Sequence, residues 1–479
     1  MVSTGRPRPR QVTQGIRMPD LPIRFKPARI FELRHRLLPE LSGRNDTVEF
    51  SARNEEPTPW LGFIGLVALT VFIYAQPAFW LPGSGSGYSS ELTGTAAFVK
   101  SLPTAHVLGM VGLLGVLFYT LTTGRRIYFT KPQTTLIFLL VMCAFLSMPF
   151  AFDLPRAASY FISTVLKLLA LYLLTINVIR NMKSVRAFFW VILILGLFPA
   201  VGTIKCYLNP AQFATRFGGR AGWVGAFRDP NVVAYNMVML IAIGLCLYGT
   251  ARNAMSRVIV GILMSVHGLT VLITLSRTGM VTLAAAACAA VVTGRKRGRI
   301  LIVAIVFLAA GVSQVPGLVS RAQTIVEYEQ DASVMGRIRI WGVALRQGLS
   351  NPLFGVGLNS FEVLSEGLIG RRRAVHNSYL RIFAESGIFA LGFFIALHAI
   401  TLRELWHMHR HTKKINTPEA VHLSIISRSL FISIIAVCLV HLTLNQDYDW
   451  LLYMFLALAV CVKQIARNIG LGQGVVSRR

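Results

Sequence analysis

The sequence is divided into apolar runs, each close to the length needed to cross a lipid bilayer as a helix. A crossing helix needs about 20 residues, because the hydrocarbon layer is about 30 Å thick and a helix rises about 1.5 Å per residue. Over its 479 residues the chain is 54% hydrophobic and only 14% charged, which is far more apolar than a water-soluble domain of this length. We therefore predict an all-α, polytopic integral membrane protein.

The apolar runs predict about twelve transmembrane helices. They cover residues 60–80, 104–122, 133–150, 159–179, 187–207, 231–250, 258–275, 279–293, 300–315, 382–402, 427–443 and 450–466. The chain is accordingly divided into a basic tail at 1–59, a membrane domain at 60–466 and a second tail at 467–479.

The distribution of Lys and Arg among the loops predicts orientation, because basic loops are retained on the cytoplasmic side. Every second loop is basic, and these loops carry Arg125/Arg126/Lys131, Arg180/Lys183/Arg186, Arg252/Arg257, Arg295/Lys296/Arg297/Arg299 and Arg403/Arg410/Lys413/Lys414. The alternate loops around 81–103, 151–158 and 444–449 are neutral or acidic. Both tails are therefore predicted to be cytoplasmic, and the loops at 208–230 and 316–381 to be extracytoplasmic.

The formal net charge of +28 raises the question of a nucleic-acid partner. The charge is spread over membrane-proximal segments and not over a folded soluble domain, so we predict membrane lipids and no nucleic acid as partners. The tail at 1–59 is predicted to face anionic headgroups. The six cysteines lie in or at the ends of apolar runs without CxxC spacing, which predicts neither a disulfide framework nor a zinc site.

Several arginines depart from the positive-inside pattern. The outer loop RFGGRAGWVGAFRDPN contains Arg216, Arg220 and Arg228. Asp229 is a good N-cap and Pro230 suits a first helical turn, so the sixth helix is predicted to point its positive end outward beside Arg228. Such a helix start favours anion binding, with contact to lipid headgroups as the alternative. Arg277, in TLSRTGM, is predicted to stay at the same surface because the junction that carries it is short.

The stretch MGRIRIWGVALRQGL, residues 335–349, predicts an amphipathic helix in the long outer loop. At about 100° per residue, the apolar stripe consists of Ile338, Trp341, Leu345 and Leu349. Arg337 flanks the stripe on one side, and Arg339 and Arg346 flank it on the other. The helix is predicted to lie in the membrane interface, where its arginines either snorkel to headgroups or grip a lipid-linked phosphate.

Lys167 lies near the middle of the fourth predicted span. A charge at that depth must be paired or face water. Lys167 is predicted to snorkel, to pair with Glu385 or to contribute directly to function.

The stretch RRRAVHNSYL, residues 371–380, raises the question of chemistry at the outer face. A pyrophosphate is the anion that several outer arginines would suit, because guanidinium forks match phosphate oxygens. If it links a polyprenol to a sugar, it is a competent leaving group, and the remaining need is a base for the acceptor hydroxyl. His376 is the candidate base, since imidazole is partly neutral at ordinary pH. Asn377 is a candidate to fix His376 or to bind a sugar, and an ordinary surface role is the alternative for His376.

The order of FRDPN, SRTG, GRIRIW, NPLFGVGLNSF, HNSYL and ESGIFAL resembles that of the O-antigen ligase and O-antigen polymerase superfamily of bacterial envelope glycosyltransferases. The resemblance covers roughly residues 220–400 and agrees with the predicted twelve-span frame. It implies a multi-pass protein of the bacterial inner membrane whose active site faces the periplasm.

The resemblance also implies a reaction, in which a glycan passes from undecaprenyl pyrophosphate to an acceptor hydroxyl without a metal or other cofactor and with inversion at the anomeric carbon. By position, His376 would activate the acceptor, while Arg228 and Arg277 would bind the pyrophosphate. Arg337 or Arg339 would complete this clamp. Further candidates to contact the pyrophosphate or glycan are Arg216, Arg220 and Lys167.

The superfamily tends to place an acidic residue in the last outer loop, which here reads NQDYDW. Asp447 and Asp449 are therefore candidates to contact substrate. The DYD tripeptide also has the DxD form that binds a divalent metal in other glycosyltransferases, so a bound metal is the alternative interpretation of this loop.

Two functional alternatives stay open. Within the superfamily a polymerase joins lipid-linked glycans to one another, a ligase passes the finished glycan to lipid A-core, and a protein O-oligosaccharyltransferase is a further relative. Twelve spans also fit a transporter or a lipid-oligosaccharide flippase, but transporters usually place polar groups at the midplane of broken helices. Because the unusual charges of this chain collect at the outer face, we favour the transferase.

Overall fold

The computed structural model describes residues 56–77, 104–209, 220–294, 332–370 and 372–471. Within these ranges the chain is helical and has no β-strand. The helices are α1 Trp60–Ala75, α2 Thr104–Thr123, α3 Gln133–Ser147, α4 Leu154–Tyr160, α5 Leu166–Val178, α6 Met182–Leu195, α7 Leu197–Leu208, α8 Pro230–Thr250, α9 Ala254–Ile273, α10 Arg277–Thr293, α11 Ala332–Ser350, α12 Phe361–Ile369, α13 Ser378–Thr412, α14 Pro418–Val440 and α15 Trp450–Asn468.

The helices confirm the predicted all-α membrane architecture. Among the described residues, nine helical segments are long and apolar enough to cross a membrane, and α1 and α10 are shorter apolar helices. Eleven of the twelve predicted spans coincide with these elements. The span predicted at 300–315 lies outside the described residues, so the count of twelve stays a prediction. Arg216, residues 1–55 of the basic tail and the chain after residue 471 lie outside them as well.

Three helices occupy the centre of the bundle. α15 is enclosed almost completely and packs against α5 and α14, and α8 packs against α14. By contrast, α2 leaves large apolar side chains such as Leu117, Phe118 and Leu121 exposed. In a bilayer such a surface contacts lipid tails, because only an apolar exterior is stable there. The central helices therefore form the protein-packed core, and helices such as α2 form its lipid-facing surface.

A break inside α13 builds the outer end of the bundle. Gly387 has φ 84° and ψ −177°, which is not helical. A Cβ atom there would lie 2.1 Å from the carbonyl oxygen of Leu353, so only glycine fits. The N–H of Ile388 donates to Pro352 O at 2.8 Å, and Val356 N–H donates to Ala384 O at 2.8 Å. The NPLFGVG segment thus satisfies backbone groups that the break releases.

The predicted cytoplasmic loops meet at one end of the bundle, and the predicted outer loops meet at the other. At the first end, Arg180 pairs with Glu56 at 3.3 Å, and Lys463 pairs with Glu404. At the second end, Thr278 and Thr443 share a hydrogen bond of 3.0 Å. These contacts agree with the predicted alternation of loops.

Candidate active site

The candidate site is built from four segments at the predicted outer end, namely the start of α8, the start of α10, the HNSYL segment and α11. Hydrogen bonds hold the start of α8 together. Asp229 caps this helix as predicted, because its Oδ1 accepts a hydrogen bond from Asn231 N at 2.8 Å. The side-chain amide of Asn231 donates to the same Oδ1 at 2.9 Å. Arg220 donates from Nη1 to Asn231 Oδ1 at 3.2 Å. The residues around FRDPN thus form one hydrogen-bonded group, in which half-buried Arg228 directly precedes the cap.

The start of α10 lies against the start of α8. Ser276 caps α10 by accepting from Gly279 N at 3.0 Å, and its hydroxyl donates to Asn231 Oδ1 at 2.7 Å. A Cβ on Gly279 would lie 2.5 Å from Cβ of Ala234, so glycine is needed for this close approach. Two positive helix ends therefore meet, with Arg277 as the first residue of the second helix. Arg228 and Arg277 each have interaction partners within the protein.

The HNSYL segment is fastened to the last outer loop. Asn377 caps α13 by accepting from Leu380 N at 3.0 Å, and its amide donates to Leu442 O at 3.3 Å. Ser378 Oγ donates to Leu444 O and accepts from Gln446 N, both at 2.8 Å. Because these contacts occupy the Asn377 side chain, its observed task is to hold the backbone beside His376.

His376 has an uncommon backbone conformation, with φ of 53°. Left-handed backbone is rare for a bulky residue and is strained unless its surroundings impose it. The surroundings here are the fixed residue Asn377 on one side and Val375 on the other, whose carbonyl accepts a 3.0 Å hydrogen bond from Trp341 Nε1. The backbone at His376 is therefore held on both sides.

Three charges act on the imidazole of His376. Burial lowers the pKa of His376, the positive charges of Arg337 and Arg373 lower it as well, and the resulting pKa is about 4. The carboxylate of Asp229 acts in the opposite direction. Since Coulomb interactions weaken with distance, Arg337 and Asp229 both lie near the ring. His376 is thus a neutral imidazole at neutral pH.

The helix predicted at 335–349 exists as α11, but its faces differ from the prediction. Ile340 and Ala344 are buried against Phe361, Val375 and Ala384. Ile338, Leu345 and Leu349 are exposed, as a stripe facing the interface would be. Trp341 does not belong to that exposed stripe, because its indole is half-buried and bonded to Val375. The prediction failed there because amphipathic spacing cannot show that a second face of the helix packs on protein.

The packing of α11 distinguishes Arg337 from Arg339, which the sequence alone could not do. Arg337 is half-buried and acts on His376, whereas Arg339 is exposed. Arg346 is exposed as well. Of these side chains, Arg337 is the one whose charge acts on His376, and its contact with substrate stays a prediction.

Asp447 and Asp449 have different partners. Asp449 caps α15 by accepting from Leu451 N at 3.1 Å and Leu452 N at 3.3 Å, and it also bonds Tyr235. Burial raises its pKa to about 6. Asp447 is fully buried and pairs with Arg381 Nη1 at 3.5 Å. The two carboxylates therefore do not converge on one point, and contact of either with substrate stays a prediction.

Arg381 is the centre of a buried charge cluster that includes Asp447 and Glu385. Its Nε pairs with Glu385 Oε2 at 3.2 Å. The same carboxylate accepts hydrogen bonds from Asn359 N and Phe361 N, both at 3.1 Å. The cluster thus connects α13, the last outer loop and the segment after NPLFGVG.

Lys167 lies apart from these contacts. It is half-buried on α5, just after the π-helical turn Phe161–Val165. The predicted pairing with Glu385 is wrong, because Glu385 takes Arg381 as its partner and Lys167 forms no ion pair among the described residues. A direct role for Lys167 in substrate binding stays a prediction.

The residues that sequence reasoning missed are those that join the segments: Asn231, Ser276, Thr278, Arg381, Thr443 and Gln446. Ser276 and Asn231 do stand in recognisable positions, as an N-cap and within DPN. Their mutual hydrogen bond spans 45 positions of sequence, and no local pattern reports it.

The comparison with known families agrees with this arrangement. Residues 259–395 match the protein-family model described as O-antigen ligase. The matched stretch extends from α9 through the first part of α13, so it contains Ser276, Arg277, Arg337 and His376. It confirms the resemblance of these motifs to the O-antigen ligase and polymerase superfamily. No curated protein matches the chain in sequence.

Proposed function

We propose that this protein is a membrane glycosyltransferase that moves a glycan from undecaprenyl pyrophosphate to an acceptor hydroxyl at the periplasmic face of the bacterial inner membrane. The observation that carries the proposal is the position of His376 at the predicted outer end, where it is held between Asn377 and Val375 and is subject to the charges of Arg337 and Asp229. The family match supports a glycan-transferring enzyme of the O-antigen ligase type.

We assign the donor pyrophosphate to the adjoining starts of α8 and α10. Free backbone N–H groups and the helix dipoles favour an anion there, and guanidinium groups add bidentate hydrogen bonds. Arg228 precedes one helix start and Arg277 begins the other. Arg337 on α11, whose charge acts on His376, is assigned to the same clamp. A pyrophosphate bound by these groups would be stabilised as the leaving group when its bond to the sugar breaks.

His376 is assigned the role of base. Its ring nitrogen accepts the proton of the acceptor hydroxyl while the acceptor oxygen bonds to the anomeric carbon. The bond from that carbon to the pyrophosphate oxygen breaks on the opposite face, which gives inversion and releases undecaprenyl pyrophosphate. An imidazole with a pKa of about 4 is a weak base by itself. The bound pyrophosphate raises its basicity, because a nearby anion favours the imidazolium.

This mechanism requires no metal, since the leaving group is already activated and the arginines neutralise its charge. Polymerase and ligase would share the donor site and the base, and they would differ in the acceptor. The surface polysaccharide could thus be O-antigen or exopolysaccharide, and the acceptor a second lipid-linked glycan or lipid A-core.

Purified protein incubated with lipid-linked oligosaccharide tests the proposal. A new glycosidic linkage is expected, formed with lipid-linked glycan alone for a polymerase and only after addition of lipid A-core for a ligase. Movement of the donor between leaflets of a vesicle without any new linkage would contradict the transferase and support a flippase. The lipopolysaccharide pattern of a deletion strain gives the acceptor independently, because loss of all ligated glycan indicates a ligase and a single-repeat product indicates a polymerase.

A further inference from the structure

The side chain of Asn231 occupies an unusual position between the two arginine-bearing helix starts. It is 6% exposed, and Ser276 is fully buried beside it. Its Oδ1 accepts from Ser276 Oγ at 2.7 Å and from Arg220 Nη1 at 3.2 Å, while its Nδ2 donates to Asp229 Oδ1 at 2.9 Å. Both lone pairs of the amide oxygen and one amide hydrogen are thus used, so the amide has one orientation.

The hydroxyl of Ser276 is also fixed in direction. It donates to Asn231 and accepts from Gly279 N, the capping contact of α10. The residue before it, Leu275, has φ of 48°, a strained conformation for a branched side chain. A local strain of this kind persists only where the surrounding contacts impose it. The Asn231–Ser276 hydrogen bond is one such contact, and it ties the strained junction to α8.

We propose that Asn231 and Ser276 are positioning residues that hold the starts of α8 and α10 together and thereby set the spacing between Arg228 and Arg277 to suit a pyrophosphate. This inference rests on the proposed function. Arg228 is three residues before Asn231, and Arg277 directly follows Ser276. Movement of one helix start against the other would therefore change the distance between the two guanidinium groups. The contacts of Val375 and Asn377 that hold the backbone at His376 involve neither Asn231 nor Ser276.

A change in the spacing of the two arginines should affect binding of the lipid-linked donor and not binding of the acceptor. A clamp with the wrong spacing binds a two-phosphate group poorly, and a misplacement of about 1 Å can cost up to about a hundredfold in rate. Asn231→Ala and Ser276→Ala should each raise the KM for the lipid-linked donor about tenfold, with the KM for the acceptor unchanged. The double variant should be little worse than either single variant, because both remove the same hydrogen bond.

The opposite end of the bundle offers a matched control. Asn181 and Ser184 form a similar Asn–Ser pair, in which Asn181 Oδ1 accepts from Ser184 N at 2.9 Å and its amide donates to Thr58 Oγ1 at 2.9 Å. Asn181→Ala removes comparable hydrogen bonds far from the proposed donor site. It should lower the melting temperature by a similar amount and leave the donor KM unchanged.

The experiment measures donor KM, acceptor KM and melting temperature for Asn231→Ala, Ser276→Ala, the double variant and Asn181→Ala in detergent. A rise in donor KM confined to the first three variants supports the inference. If they lose thermal stability as Asn181→Ala does but keep the wild-type donor KM, the residues only hold the fold and the inference is wrong. A wild-type protein that forms no glycosidic linkage would instead contradict the proposed function itself.

Discussion

Arg337 and Arg339 are two positions apart on α11, yet only Arg337 acts on His376. Successive residues of a helix are separated by about 100°, so a shift of two positions turns a side chain to another face. At the scale of single residues, the chemistry of the site therefore depends on how α11 is rotated. Ile340 and Ala344, which pack on the protein, fix that rotation.

Arg337 should control the pH dependence of the reaction. Its positive charge lowers the pKa of His376, so Arg337→Gln should raise that pKa from about 4. A base is lost when it becomes protonated, and the acid limb of kcat/KM should therefore move to higher pH in this variant. Arg339→Gln should leave the acid limb of kcat/KM at the pH at which the wild type has it. Measuring kcat/KM from about pH 4 to pH 8 with one donor tests this prediction. An acid limb at the same pH in the wild type, Arg337→Gln and Arg339→Gln would contradict it.

The pyrophosphate clamp should require guanidinium groups and not charge alone. Lysine keeps the charge of arginine but loses the bidentate fork, so Arg228→Lys and Arg277→Lys should each lower kcat/KM about tenfold or more. Arg346→Lys on the exposed face of α11 is the matched control and should have little effect. Wild-type rates for both clamp variants would mean that these arginines anchor the protein to lipid headgroups.

The same residues show what sequence could predict of the site. His376, Arg228 and Arg277 could be proposed from sequence because they stand in motifs and because charge at an outer face needs a reason, and their roles stay predictions. The choice between Arg337 and Arg339 was inaccessible, since it depends on which side of α11 packs on protein. Asn377 was a candidate to fix His376 or to bind a sugar, and its contacts with the last outer loop, at residues 65 and 68 positions away, could not be predicted.

At the scale of elements, the outer end depends on the break in α13 and on the cluster of Arg381, Asp447 and Glu385. The sequence predicted a helix through this region, because ESGIFAL has no proline and a single internal glycine is tolerated in helices. The break at Gly387 is a tertiary effect, imposed by the NPLFGVG backbone that packs into it. Helix starts, by contrast, were predictable at Asp229, where the N-cap and the following proline are adjacent in sequence.

The buried cluster of Arg381, Asp447 and Glu385 predicts that substitutions of its members differ in their cost to stability. It contains two carboxylates and one guanidinium, so Arg381→Met would leave two buried carboxylates without their cation and should cost about 3–5 kcal/mol. Asp447→Asn leaves Arg381 with Glu385 as a balanced pair and should cost much less. Melting temperatures in detergent check this order. An Asp447→Asn protein that melts normally but has lost activity would show that Asp447 also contacts substrate.

At the scale of the whole molecule, the apolar runs and the alternation of basic loops determine the architecture. Eleven predicted spans match helices, because the bilayer sets their length and their hydrophobicity independently of tertiary packing. The sequence could not predict which helices are central. α8 and α14 are at least as apolar as the peripheral helix α2, and α15 is only slightly less so. In a membrane an apolar surface suits both lipid and protein neighbours.

The orientation of the molecule can be tested by labelling. Single cysteines at the exposed positions Ala226 and Arg372 should react with a membrane-impermeant thiol reagent in intact spheroplasts, whereas one at exposed Arg252 should react only after lysis. The native cysteines are replaced beforehand, since Cys288 is exposed. The reverse pattern would place His376 at the cytoplasmic face and remove the basis for a periplasmic reaction.

The central claim is that His376 takes the proton of the acceptor in a glycan transfer. The most direct measurement compares product formation by wild type and His376→Gln, with lipid-linked oligosaccharide as donor and a chelator present. Glutamine keeps a similar size and hydrogen-bonding capacity but cannot accept the proton, so a loss of about 10²- to 10⁴-fold is expected at unchanged protein abundance. Wild-type transfer should persist in the chelator. A fully active, normally abundant His376→Gln protein would contradict the account.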